Sequence, residues 1–135
     1  MKRLVGFSVV LLTLAGCATV NSQARALIEY RRSGGITGRE DRLVIHVDGS
    51  ARLYRGANVS EFRVGGDTLQ RLRSVLQEIR FEGLRAEYLP PRRGADLFEY
   101  VLIHGDRRVR TMDTAVPPDL QPLIQLLNGL LAKAG

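Results

Sequence analysis

The chain of 135 residues is 44% hydrophobic and 25% charged, a balance that can fill one core and that excludes disorder over most of its length. Its 20 basic and 14 acidic residues give a net charge of +6, but the bases are nearly all arginine and are scattered among acids, which argues against a nucleic-acid partner. The single cysteine excludes a disulfide within the chain, so the fold must rest on its own core.

Lys2 and Arg3 precede an uncharged apolar run from Leu4 to Leu14 and then small residues, the order of an export signal. The run is about half of the roughly 20 apolar residues that a membrane-spanning helix needs, so a cleaved signal fits better than a permanent span. The junction Leu14-Ala15-Gly16-Cys17 resembles the lipobox of bacterial lipoproteins, in which the thiol takes a diacylglycerol and the signal is cut before the cysteine. Two or three acyl chains, at about 0.8 kcal/mol per buried methylene, hold a protein on a membrane. Residues 1–16 are therefore predicted to be a signal peptide, Cys17 the lipidated first residue, 17–23 a short tether and 24–135 one domain. The expected location is the bacterial cell envelope, outside the cytoplasm, with the residues equally consistent with the outer or the plasma membrane. Two of the 20 basic residues leave with the signal, which lowers the net charge from +6 to +4 and further weakens any nucleic-acid reading.

Downstream, Ala26, Ile28 and Tyr30 alternate with Leu27, Glu29 and Arg31, predicting a strand that ends at Ser33-Gly34-Gly35. Ile36 to Asp41 reads as a loop. Leu43, Ile45 and Val47, then Asp48-Gly49, then Ala51 and Leu53 predict a hairpin with a two-residue turn. A short edge strand is expected around Phe62 to Val64. Asp67 is positioned to cap a helix in a capping box with Gln70. Its apolar stripe is Leu69, Leu72, Val75, Leu76 and Ile79, and Gly83 is placed to end it. Leu84 to Ala95, with Pro90-Pro91-Arg92-Arg93-Gly94, reads as an exposed loop. Asp96 to Met112 predicts a second hairpin turning at Gly105-Asp106. Asp119 is expected to cap a last helix with the stripe Leu120, Leu123, Ile124, Leu127, Leu130 and Leu131, its first turn tolerating Pro122. The order predicts an α+β domain, an antiparallel sheet of about four to six strands with two amphipathic helices on one face. Val44-Ile45-His46 and Leu102-Ile103-His104 form a faint internal echo ahead of the two hairpin turns.

No enzyme signature emerges. His46 and His104, the only histidines, lie at predicted strand ends outside any metal-ligand spacing, so no metal or cofactor is expected. No serine occupies a GxSxG elbow, the one thiol is assigned to lipid, and Glu29, Asp96 and Glu99 carry no pattern that separates them from surface carboxylates. Arg92 and Arg93 could attract anionic headgroups, though without specificity.

Five features then occur in one order: Ser33-Gly34-Gly35-Ile36-Thr37-Gly38 at a strand end, a helix closing on a segment with Phe81, the loop Pro91-Arg92-Arg93-Gly94-Ala95-Asp96, the strand Phe98-Glu99-Tyr100, and Pro117-Pro118 before a leucine helix. Together, from Ile28 to Leu131, they resemble the emfourin family, proteinaceous inhibitors of protealysin and related thermolysin-like metalloproteases. The sequence departs from the family in the form Asp96-Leu97-Phe98-Glu99-Tyr100, which keeps the aromatics, and in its lipid anchor. The resemblance implies a thermolysin-like metalloprotease as partner. Loops held at both ends by regular structure are the expected contact regions: Gly34, Gly35, Ile36 and Gly38 in one, Leu89 and Asp96 bounding the other. The second function class consistent with the sequence is an envelope structural or assembly lipoprotein that binds another protein without inhibiting it.

Overall fold

The computed structural model describes residues 24–134, so the predicted signal peptide, lipidation site and tether lie outside the described residues. The domain is α+β. Strands β1 (Ala26–Gly34), β2 (Arg39–His46), β3 (Ser50–Arg55) and β4 (Asn58–Arg63) precede helix α1 (Gly66–Glu78). Strands β5 (Glu87–Tyr88), β6 (Phe98–His104) and β7 (Arg107–Met112) then lead to helix α2 (Gln121–Lys133). All seven strands form one sheet in the order β4-β3-β2-β1-β6-β7-β5, antiparallel except for the β5·β7 pair. The first strand is thus central, flanked by the two hairpins.

Alternation along the strands produces a dry face. Ile28 and Tyr30 pair with Ile45 and Leu43, which pair in turn with Ala51 and Leu53, while on the other side Tyr30 meets Leu102 and Leu102 meets Val109. These residues are buried in a single cluster with Leu72 and Leu76 of α1 and with Leu123, Ile124, Leu127, Leu130 and Leu131 of α2. Each such aliphatic side chain contributes about 1.5–3 kcal/mol by leaving water, which meets the requirement that a domain without cross-links be held by its core.

Several local expectations are corrected by tertiary contacts. The sheet has seven strands instead of four to six because Glu87 and Tyr88, inside the expected loop, pair with Arg110 and Thr111; two residues are too short a run for alternation to reveal. Strand β2 begins at Arg39, within the expected loop Ile36 to Asp41, because Asp41 points inward between two arginines. The edge strand spans Asn58–Arg63, and Val47 leaves the strand to join Asp48 and Gly49 in a three-residue connection where Gly49 has φ +86°. Neither aspartate caps its helix through a side-chain bond: Gly65 and Leu120 are the N-caps, Asp67 sits in the first turn of α1, and Asp119 lies in a 3-10 turn, Pro118–Leu120. In the first turn Asp67 still faces the positive end of the helix dipole. Helix α1 stops at Glu78 and not at Gly83, since Phe81 must drop into the core, where its ring lies 5.2 Å from that of His104. The two tripeptide echoes are out of phase: Ile45 is the inward residue of one and Leu102 of the other, so matching positions face opposite sides of the sheet.

Candidate functional site

The Gly34–Gly38 turn and the end of the Leu89–Asp96 loop meet at one end of the sheet. Gly34 and Gly35 have φ +108° and +73°, a region that strongly favours glycine. Space requires glycine there too: a Cβ on Gly34 would stand 2.5 Å from the Leu97 carbonyl oxygen, and one on Gly35 2.8 Å from Cζ of Phe98. The Gly35 amide donates to the Leu97 carbonyl at 3.3 Å and the Gly38 amide to the Gly35 carbonyl at 3.1 Å. Gly38, φ +59°, has open space around it and is demanded by backbone angle alone. On this clamped turn Ile36 is 91% exposed.

The second loop is fastened at its C-terminal end. The Asp113 carboxylate accepts from the Phe98 amide at 2.8 Å and from the Tyr100 hydroxyl, and the Asp113 amide returns a bond to the Phe98 carbonyl at 3.1 Å. Asp96 is exposed, with Oδ1 3.0 Å from where a Gly94 Cβ would lie. Leu89 is half-buried and follows β5, three strand spacings from β1 and hence about 14 Å away across the sheet. The structure therefore brings Gly34, Gly35, Ile36 and Gly38 to the Asp96-Leu97 segment, while Leu89 stands apart. Arg92 and Arg93 lie in this same loop, at the end of the sheet opposite Ala24, where the described chain enters β1.

Beneath the turn lies a polar cluster that sequence reasoning missed. Arg32, Asp41 and Arg55 are direct neighbours across β1, β2 and β3. The Asp41 side chain is fully buried, its Oδ2 2.7 Å from Arg32 and its Oδ1 2.9 Å from Arg55. Arg55 also donates to the Leu131 carbonyl of α2 at 2.6 Å. Oδ1 of Asn128 accepts from the Tyr30 hydroxyl at 2.9 Å and from Arg32 at 3.3 Å, and the Arg32 guanidinium stands 5.3 Å from the centre of the Phe98 ring under Gly35. Tyr30 and Tyr100 stack at 6.0 Å. Burial raises both phenols above their ordinary range, with the neighbouring Asp113 adding to the effect on Tyr100, so both stay neutral donors at physiological pH. The signal was the phase of the alternation: Asp41 falls in step with Leu43 and Ile45, and Arg32 with Ile28 and Tyr30, which places charges on the inward face.

The outward face carries a solvated ladder of ion pairs, Glu29 with Arg31 and Arg42, Arg52 with Glu61, and Arg110 with Glu99. Hydrogen bonding from Arg42, against the opposing effect of burial and aided by Arg31, holds the Glu29 carboxyl below the usual range. The histidines serve local structure: Nδ1 of His104 lies 2.7 Å from the Leu27 carbonyl, and Nδ1 of His46 lies 3.2 Å from that of Ser50. Ser50 stands between His46 and Asp48, its hydroxyl donating to Asp48 at 2.6 Å, so the carboxylate orients the serine and not the imidazole, the wrong order for a nucleophilic relay. Among the described residues no group of three or more His, Cys, Asp or Glu is placed to hold a metal, and no helix is long and apolar enough to cross a membrane.

Comparison of the chain with protein-family models gives no match, and none of the curated proteins matches it.

Proposed function

We propose that this chain is a lipid-anchored envelope protein that inhibits a thermolysin-like zinc metalloprotease by seating the Ile36 turn in the enzyme's cleft. The observation that carries this reading is Ile36 itself, 91% exposed on a turn in which two positive-φ glycines pack against Leu97 and Phe98. Leaving so much apolar surface in water on a rigid turn favours binding, since pre-ordering lowers the entropy cost of association. Proteases of this class take a bulky apolar residue after the cut, which Ile36 supplies. Leu89, half-buried, is the weaker candidate.

Two further features support the reading. Helix α2 bonds the inward face of the sheet through Asn128 to Tyr30 and Arg32, and both helices bury side chains in the cluster with that face, while Ile36 on the turn stays exposed. Chain entry at Ala24 is at the opposite end of β1 from the turn, nine strand residues or about 30 Å away. Anchoring through Cys17 would thus hold the turn off the membrane and toward a soluble partner.

The test uses a soluble domain beginning at Asn21. It should inhibit a thermolysin-like protease near one-to-one stoichiometry and remain uncleaved, and Ile36→Asp should weaken inhibition about thirtyfold or more without loss of folding. Cys17→Ser in the full chain should abolish acyl labelling and release the protein from membranes. Full protease activity across a panel of such enzymes in excess folded domain would leave only an envelope binding module without inhibitory action.

A further inference from the structure

A protease that meets a folded chain needs several residues in extended form with free amides and carbonyls, so exposed loops are cut while strands and helices are spared. Most basic residues of the domain lie in strands or helices, and Arg25, Arg80, Arg85, Arg92 and Arg93 lie outside them. The first three are held. The Arg25 carbonyl accepts from the Val47 amide at 2.9 Å, and the Arg80 carbonyl accepts from the Gly83 amide at 2.9 Å, with the buried Phe81 following Arg80. The Arg85 amide donates to the Tyr88 hydroxyl at 3.0 Å, its guanidinium stands 4.6 Å from the centre of that ring, and the Ala86 carbonyl accepts from the Arg110 amide at 2.8 Å. Arg92 and Arg93 differ. From Pro90 to Arg93 the chain makes no backbone hydrogen bond among the described residues, and both arginines are exposed. Pro90 and Pro91 have no amide hydrogen to give, and each holds the residue before it in the extended region. Neither guanidinium joins an ion pair among the described residues. The first tie comes after them, where the Gly94 carbonyl accepts from the Leu97 amide at 3.5 Å.

We propose that Arg92-Arg93 is a processing site for a protease of the trypsin-like serine class, which takes a basic residue before the cut, and that the bond hydrolysed is Arg93–Gly94. Cutting there puts the Arg93 guanidinium in the enzyme's acidic specificity pocket and sets a residue without a side chain on the leaving side. One water is consumed: the carbonyl carbon of Arg93 gains its oxygen and becomes a carboxylate, and the Gly94 nitrogen leaves as an amine that takes up a proton. Between Pro90 and Asp96 there is no bulky apolar residue, so an enzyme of the thermolysin class finds nothing in this segment to take after the cut, and the site is independent of what the Ile36 turn binds. Cleavage leaves the fold standing. Strand β6, on the C-terminal side of the cut, pairs with β1 from Glu29↔Ile103 to Gly34↔Phe98, and β7 pairs with β5. Leu102, Val109 and the leucines of α2 share one core with Tyr30, Leu43 and Leu72 from the other side of the cut. The Phe98 amide stays bonded to Asp113 within the C-terminal piece.

The experiment is limited proteolysis of the full chain with trypsin, read by intact mass and by the N-terminal sequence of each fragment. The first cut within residues 24–134 should give a C-terminal piece beginning at Gly94, and the two pieces should co-elute from a sizing column in native buffer and separate in urea. Replacing both bases, Arg92→Gln with Arg93→Gln, should slow the loss of the intact domain on the order of tenfold with an unchanged circular-dichroism spectrum, because the remaining arginines are held by their backbones. Arg92→Gln with Arg93→Lys should restore the cut, since the specificity pocket reads the positive charge. A first internal cut at any other residue, an unchanged rate in the double Gln chain, or pieces that part in native buffer would overturn the proposal. So would equal cutting of the segment from Pro90 to Asp96 by thermolysin, which would mean that the loop is open to proteases of any class.

Discussion

Replacing Asp41 with Asn removes the one carboxylate that pairs with Arg32 and Arg55 among the described residues. The Asp41 side chain is 0% exposed, and those of Arg32 and Arg55 are 18% and 30% exposed. An asparagine can accept from one arginine through its oxygen, but its NH2 group would face the other. Breaking a buried pair by removing one partner costs about 3–5 kcal/mol, because a desolvated charge is left behind. Partial exposure of both arginines lets water relieve some of that, so the expected loss is about 3 kcal/mol. For a domain of this size the melting temperature should fall by roughly 12 °C. Urea titration followed by circular dichroism gives the free energy by linear extrapolation, and an unchanged m-value would show that the surface exposed on unfolding is unaltered. Arg32→Met in the same background supplies a double-mutant cycle: once the carboxylate is gone, removing the guanidinium should recover part of the loss. A loss below about 1 kcal/mol for Asp41→Asn, with no coupling to Arg32, would mean that the cluster is solvated and that it does not tie β1, β2, β3 and α2 together beneath the turn.

The turn glycines should rank by the space each one has. Gly34→Ala, which meets a backbone carbonyl, should destabilise most, Gly35→Ala next because the Phe98 ring can shift, and Gly38→Ala least, by about 1 kcal/mol from its backbone angle alone; denaturant midpoints for the three would refute the geometry if Gly38→Ala were the worst. Glu29 sets a pH dependence. Its carboxyl titrates below the usual value of 4.5 in the folded chain, so its stabilising contribution is present above that value and is lost as pH falls through the lower folded value. Stability measured from pH 6 down to pH 2 should therefore decline less steeply in Glu29→Gln than in the natural chain, and parallel profiles would show that the bonds from Arg42 and Arg31 add nothing in solution.

The candidate turn owes its presentation to chemistry at several depths. Gly34 and Gly35 permit the backbone angles, Phe98 fills the space that a Cβ would need, Arg32 lies against that ring, and Asp41 and Asn128 hold Arg32. The chain of contacts from α2 ends at Gly35, next to Ile36, and supports the turn from beneath while the Ile36 side chain stands in solvent. It also separates two kinds of variant: Ile36→Asp changes what the turn offers to a partner, whereas Asp41→Asn changes the support beneath it.

Local periodicity was enough to place β1, both hairpins and the apolar stripes of the two helices, because alternation and helical spacing record which side of an element meets water. Gly34-Gly35 and Gly105-Asp106 were legible as turns for the same reason, their backbone angles being a property of the residues themselves. Boundaries were less legible. Asp41 looked like a loop residue, since a lone carboxylate is solvated unless partners distant in the chain bury it, and Gly83 was a plausible helix stop until Phe81 was needed in the core. Only the tertiary structure decided that β1 lies between the hairpins, that Glu87 and Tyr88 pair with β7, that Arg32, Asp41 and Arg55 share one row with Asn128 behind them, and that the Gly35 amide reaches Leu97. Each of these depends on residues far apart in sequence whose local surroundings resemble those of surface residues, so the free energy that selects them arises from desolvation and packing between elements and leaves no mark on the spacing within any one of them.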